Sequence, residues 1–224
     1  PNLVGVIVPT LRHPLFATFT AHLQPALAAQ GLRTMLCSTA DEADGEIQYV
    51  DMLRRHMMAG IVMCAHTSHP GDYWTSIHRP IVAFDRVLGD GISSIGSDHE
   101  QGGRLIAQML IRNGAKHVVV IGGPRDQFFD LAALGEVEEG PFDLGKTTFP
   151  TVRYYLTLEQ ELTSVGVKYE YVEAGEVMDF AGFHRAVSNA LDKVTTDGVD
   201  AVVSSDIGAS FCVREALSRG ISIP

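Results

Sequence analysis

No stretch of this sequence supplies the ~20 consecutive apolar residues that a helix needs to cross a bilayer, which excludes a membrane-spanning helix. The opening residues lack the charged segment, apolar stretch and small-residue site of a secretory leader. The sequence begins at Pro1 rather than Met, and reads as a fragment or a processed product. Basic charge is scarce: 17 Lys and Arg stand against 27 Asp and Glu, a formal net charge of -10. The cations are scattered, with Arg54-Arg55 the densest pair. That excludes a nucleic-acid backbone as a partner of this chain alone, because such binding needs clustered Lys and Arg. Cysteine is rare as well. Cys37, Cys64 and Cys212 each sit in or beside an apolar segment. An odd number of such thiols speaks against a disulfide framework and for a reducing compartment, so we expect a cytoplasmic location.

Motifs for chemistry are also missing. Gly122-Gly123-Pro124 has neither the Gly-x-Gly-x-x-Gly spacing of a dinucleotide fingerprint nor the form of a Walker loop. No nucleophile–base constellation stands out, so no catalytic residue and no enzyme activity are expected. His66-Thr67-Ser68-His69 is loosely spaced and has no nearby Cys or acid to complete a tetrahedral set. Neither a metal nor a cofactor is expected.

What is present is a strand–helix rhythm with polar residues just past the strands. Leu3–Val8 is a short β-branched run followed by Pro9-Thr10-Leu11-Arg12-His13-Pro14. Further strands are predicted at Leu32–Ser38, Gly60–Ala65, Ile81–Phe84 and Ile92–Ser97, with helices over 15–30 and 42–58. Phe16, Phe19, Leu23 and Leu27 fall on one helical face, and Pro25 should bend or break that helix. In the second helix, Ile47, Val50, Leu53 and Met57 are expected to face the sheet, leaving Tyr49, Met52 and His56 for a partner surface. Asp98 is an N-cap for a helix ending at Asn113-Gly114. The unit then recurs: strands at His117–Ile121, Tyr169–Val172 and Ala201–Ser204, and helices over 153–164, 179–194 and from Asp206, its cap, to Arg219. The fold class is therefore α/β, with parallel sheets wound on both faces. Two lobes are expected, at 1–97 and 98–224, the second incomplete where the chain stops at Pro224. Residues 125–152 fit neither period and read as an insertion beside the pocket or a mobile loop.

The ordered set of short motifs resembles the effector-binding core of LacI/GalR-type transcriptional repressors, which shares its periplasmic-binding-protein type I fold with periplasmic sugar-binding proteins. The markers are Val4–Pro9 with His13-Pro14-Leu15-Phe16, Gly60-Ile61-Val62, Phe84-Asp85-Arg86, Ser97–Gly103, Ile121–Pro124 and Ser205-Asp206-Ile207-Gly208-Ala209. The stretch Leu110–Pro124 is similar to the repressor version, and the unpaired cysteines agree. The resemblance implies a small-molecule effector of the sugar class bound between the two lobes and coupled to operator binding, a homodimer, and operator DNA bound only through a helix-turn-helix absent from this chain. A transporter's periplasmic sugar-binding protein is the alternative.

Candidate effector contacts follow from residue chemistry and from the resemblance together. Asp85 can accept hydrogen bonds from neighbouring hydroxyls, and Arg86 can donate a rigid fork. Phe16 offers an aromatic face to a sugar's C–H surface, and His13 stands where the family has Asn. Arg153 matches the family's second-lobe arginine. Ser205 replaces a ligand-binding Asn, and Asp206 follows it, read as helix cap before ligand contact.

Overall fold

The computed structural model describes residues 2–40, 42, 44–64, 67, 69, 72–129, 149–175 and 179–223. It separates into two units. The first takes in the chain up to Ser97 together with Phe149 and Pro150; the second takes in Asp98–Phe129 and the chain from Thr151 on.

In unit 1 the strands are β1 (Leu3–Val8), β2 (Arg33–Ser38), β3 (Gly60–Met63), β4 (Ile81–Phe84) and β5 (Ser93–Ile95). They form one parallel sheet in the order β2-β1-β3-β4-β5. The helices are α1 (Pro14–Ala29), α2 (Gly45–Arg55) and the single turn α3 (Tyr73–Ser76). Alternation along β1 explains why its run is apolar throughout. Ile7 joins Val50, Leu53, Met63 and Trp74 on one face of the sheet. Val6 and Val8 join Phe16, Phe19, Leu23 and Leu27 on the other. A strand covered on both sides has no polar face to keep. Gly5 is required by packing: a Cβ there would collide with the fully buried Leu53.

Unit 2 contains α4 (His99–Arg112), β6 (His117–Gly122), a 3-10 turn at Arg125–Phe129, α5 (Pro150–Ser164), β7 (Lys168–Glu173), α6 (Phe180–Thr196), β8 (Ala201–Val203) and α7 (Asp206–Ser218). Its sheet is parallel, in the order β7-β6-β8. Val119 and Ile121 pack with Phe183, Val187, Ala190 and Leu191 of α6. Asp98 caps α4 by accepting the Gln101 N–H at 2.9 Å, and Asp179 caps α6 in the same way through Gly182 at 2.8 Å.

Several local expectations are corrected. α1 runs through Pro25 without the break that is one of the two outcomes expected there, because the packed row Phe16–Leu27 holds both halves against the sheet. The apolar face of α2 is rotated from the expected one. Glu46, Val50 and Leu53 are buried and Tyr49 and Met52 pack against the core, whereas Ile47 is exposed and Met57 lies beyond the helix end. Tyr49 and Met52 are thus partly buried, and His56, past the helix end, is exposed. α5 begins at Pro150, so residues 150–152 are helical rather than part of an insertion. Arg125–Phe129 of that segment form the 3-10 turn and Phe149 directly precedes α5, while residues 130–148 lie outside the described residues. α7 is capped by Ser205 and not by Asp206. Ser205 is extended and its Oγ accepts the Gly208 N–H at 3.2 Å, while Asp206 is already helical and accepts from Ile207 at 2.8 Å.

Candidate functional site

In unit 1 the strand order reverses between β1 and β3, which is where an open α/β sheet leaves a crevice beyond the carboxyl ends of its strands. Cys64 follows β3 there, its N–H bonded to the Ile7 carbonyl at 2.9 Å. Asp85 and Arg86 follow β4. The Cys64 thiol is buried, and burial together with the Asp85 carboxylate pushes it up to about 12. A buried, protonated thiol of this kind is a poor nucleophile near neutral pH.

Asp85 sits in the left-handed backbone region (φ 58°), as do Ala40, Met57 and His78 among the described residues. Its N–H donates to the Ile95 carbonyl at 2.7 Å, and its Oδ1 accepts the Ser97 N–H at 3.2 Å. Gly96 lies between these two bonds. A Cβ on Gly96 would stand 2.6 Å from Asp85 Oδ1, so the carboxylate is aimed across a space only glycine leaves open. The turn thus presents a half-buried carboxylate whose Oδ1 is held by the Ser97 N–H. Arg86 is only 5% exposed, and its guanidinium carbon lies 4.1 Å from the centroid of the Phe149 ring.

Phe16 is half-buried in the cluster that contains Cys64 and Phe84, and the Phe19 ring stacks on Phe84 at 3.9 Å. His13 is the N-cap of α1: its Nδ1 accepts the Leu15 N–H at 3.2 Å, and its ring is 5.6 Å from that of Phe16. Unit 1 therefore brings Asp85, Cys64 and Phe16 to one end of the sheet around Phe84. In unit 2, Arg153 is half-buried on the first turns of α5, and Ser205 and Asp206 open α7 directly after β8.

Two groupings escaped the sequence reading. His69 lacks a nearby acid in the sequence but has one in space: its Nε2 is 2.7 Å from Oε2 of Glu46, and both side chains are almost fully buried. Glu46 also accepts the Thr67 N–H at 3.1 Å, and the His69 ring stacks on Tyr73 at 4.5 Å. The pair ties the chain after β3 to the first turn of α2. His66 and Ser68, the other half of the histidine motif, lie outside the described residues. Among the described residues no group of three or more His, Cys, Asp or Glu could hold a metal ion. The second grouping is Phe149 on Arg86, for which the only signal was an aromatic residue just before a helix start.

Residues 2–132 match the family described as periplasmic binding proteins and sugar binding domain of LacI family. The chain belongs to this family. Among curated relatives of this LacI-type domain is the sucrose operon repressor of Streptococcus mutans, 31% identical over 122 residues, or 54% of this chain and 38% of that protein. The ribose operon repressor of Bacillus subtilis is 24% identical across 100% of this chain and 61% of its own length. The chain thus spans well under half the length of the sucrose repressor it matches. Among solved structures, a periplasmic binding protein/LacI transcriptional regulator from Alkaliphilus metalliredigens, complexed with D-xylulofuranose, superposes with a TM-score of 0.76 at 22% identity, covering 100% of this chain and 75% of that one. The Cra dual regulator of Pseudomonas putida, in complex with fructose 1-phosphate, gives 0.73 at 18% identity, covering 97% and 74%. These last two establish the fold. No helix among the described residues is long and apolar enough to cross a membrane.

Proposed function

We propose that this LacI-type domain senses a small, hydroxyl-rich effector of the sugar class and holds it unaltered at the carboxyl ends of the unit 1 strands. The observation that carries the reading is the Asp85 turn. One oxygen of the carboxylate accepts a backbone N–H, Arg86 is the next residue along the chain, and Phe84, the residue before, belongs to the aromatic cluster with Phe16 and Phe19. Carboxylate acceptors, guanidinium donors and an apolar face together match the hydroxyls and C–H surface of a sugar. The relatives support the class, since their names refer to sucrose and ribose operons and one structural neighbour was solved with a pentulose. Phe16 and His13 are further proposed contacts in unit 1; Arg153, Ser205 and Asp206 are those of unit 2. No residue here is assigned a catalytic role, and no cofactor is invoked.

In the intact protein the effector biases a conformational equilibrium by its differential affinity for two states. A regulator of this type works as a cytoplasmic homodimer whose operator contacts are made by a separate DNA-reading domain, with coupling of about 1–3 kcal/mol between the two ligands.

A thermal-shift screen of pentoses, hexoses, disaccharides and their phosphates tests the proposal. A sugar at a hundredfold excess over its Kd stabilises the native state by about 2.7 kcal/mol, a rise of about 5–10 °C in Tm for a chain of this size. Asp85→Ala abolishes that rise. An equal response in Asp85→Ala removes the site from this turn.

A further inference from the structure

Arg86 is buried although it carries a permanent charge, and one of the groups that covers it comes from far along the chain. Phe149 directly precedes α5, in sequence that runs between two stretches of unit 2, yet it groups with unit 1. Its ring lies over the Arg86 guanidinium at 4.1 Å, a cation–π distance. A flat guanidinium has two faces and an edge, and an aromatic ring on a face keeps both water and ligand off it. The phenyl ring has the footprint of a pyranose. Whatever packs on this face of Arg86 must take the space that Phe149 occupies.

We propose that Phe149 is an affinity-setting residue of the effector site: its ring covers Arg86 and competes with the effector for that guanidinium. The competition rests on the sugar-sensing reading; the cover itself does not. Phe149 lowers effector affinity by the worth of its contact, and replacing it with a smaller side chain tightens binding. Side chains of different size and polarity at this position select among effectors, because they determine how readily Arg86 is uncovered.

The experiment has two readouts on the intact protein, for wild type, Phe149→Ala and Phe149→Leu. The first is ligand-free: the rate at which phenylglyoxal modifies Arg86, followed by peptide mass spectrometry, with the exposed Arg112 as internal standard. The second is titration with D-ribose and with fructose 1-phosphate. In Phe149→Ala, Arg86 labelling accelerates by about 2- to 30-fold, the factor a cation–π contact is worth, and sugar affinity rises by a similar factor. Phe149→Leu keeps apolar bulk, guards against a folding defect, and falls between the two. Equal labelling of Arg86 in all three proteins overturns the proposal, since Phe149 then covers nothing. Faster labelling with weaker sugar binding also overturns it, making Phe149 a supporting wall of the site. If neither sugar binds wild type or variant, the sugar reading falls and the competition with it, while the labelling still decides whether Phe149 covers Arg86.

Discussion

Gly96→Ala puts a methyl group into the turn that presents Asp85. The added Cβ would lie 2.6 Å from Asp85 Oδ1 and 3.0 Å from Asp85 Cα. The carboxylate oxygen can swing aside, but only by giving up the Ser97 N–H that it accepts at 3.2 Å. The Cα cannot swing, so the backbone after β4 must move away from the backbone after β5, stretching the 2.7 Å bond from the Asp85 N–H to the Ile95 carbonyl. Overpacking of this kind costs about 1–3 kcal/mol. For a chain of this length that is a fall of about 2–12 °C in Tm. Thermal unfolding measures the stability cost, and the sugar-induced shift measured on the same sample reports the site. Gly96→Ala is expected to lose both stability and most of the sugar response. Gly91→Ala is the control: its φ of +84° makes alanine strained, but nothing lies within 4 Å of its Cβ position. It should lower Tm and leave the sugar response intact. Wild-type Tm and sugar response in Gly96→Ala would refute the placement of the Asp85 carboxylate across Gly96, and with it the geometry on which the site is built.

Three further outcomes are expected. His69→Ala strips the buried Glu46 carboxylate of its 2.7 Å partner, and denaturant titration should find it about 3–5 kcal/mol less stable, with Glu46→Gln/His69→Gln less destabilised than the sum of its two single changes. Glu170 is held at about 2 by hydrogen bonds from Lys168 and Lys193, with His117 adding to them. A depressed carboxyl stabilises the folded state above its unfolded value and loses that contribution as pH falls toward 2, so Glu170→Gln should be about 1 kcal/mol less stable than wild type at pH 7, the gap closing below pH 4 in a pH series of unfolding curves. Cys64, buried and raised to about 12, should resist iodoacetamide in the native protein at pH 8 and react only on unfolding; rapid native alkylation would show that the floor of the crevice is open.

Much of the fold was legible because its signals are local. The β-branched runs at Leu3–Val8, Ile81–Phe84 and His117–Ile121 became strands, the first and third largely buried, and Asp98, with a donor three residues on, became an N-cap. Where the sequence reading slipped, two local solutions were close in energy and packing chose between them. Ser205 and Asp206 are both good caps, and the one that stays extended after β8 takes the role. On α2, Ile47 and Tyr49 compete for the sheet, and the larger half-buried ring packs against the core while the β-branched residue turns outward. Of the candidate site, residue types at strand ends were readable, but their partners were not.

Composition and periodicity on their own determined the alternation of strands and helices, the parallel sheets that it requires, the excess of acidic over basic residues, and the polar residues waiting past the strands. Only the tertiary structure decided the order β2-β1-β3-β4-β5, the pairing of Glu46 with His69, the narrow gap between Gly96 and Asp85, and the ring of Phe149 over Arg86. The physical reason is range: a propensity or a cap is settled within a few residues of chain, whereas a buried charge finds its partner only after the elements that carry them have packed.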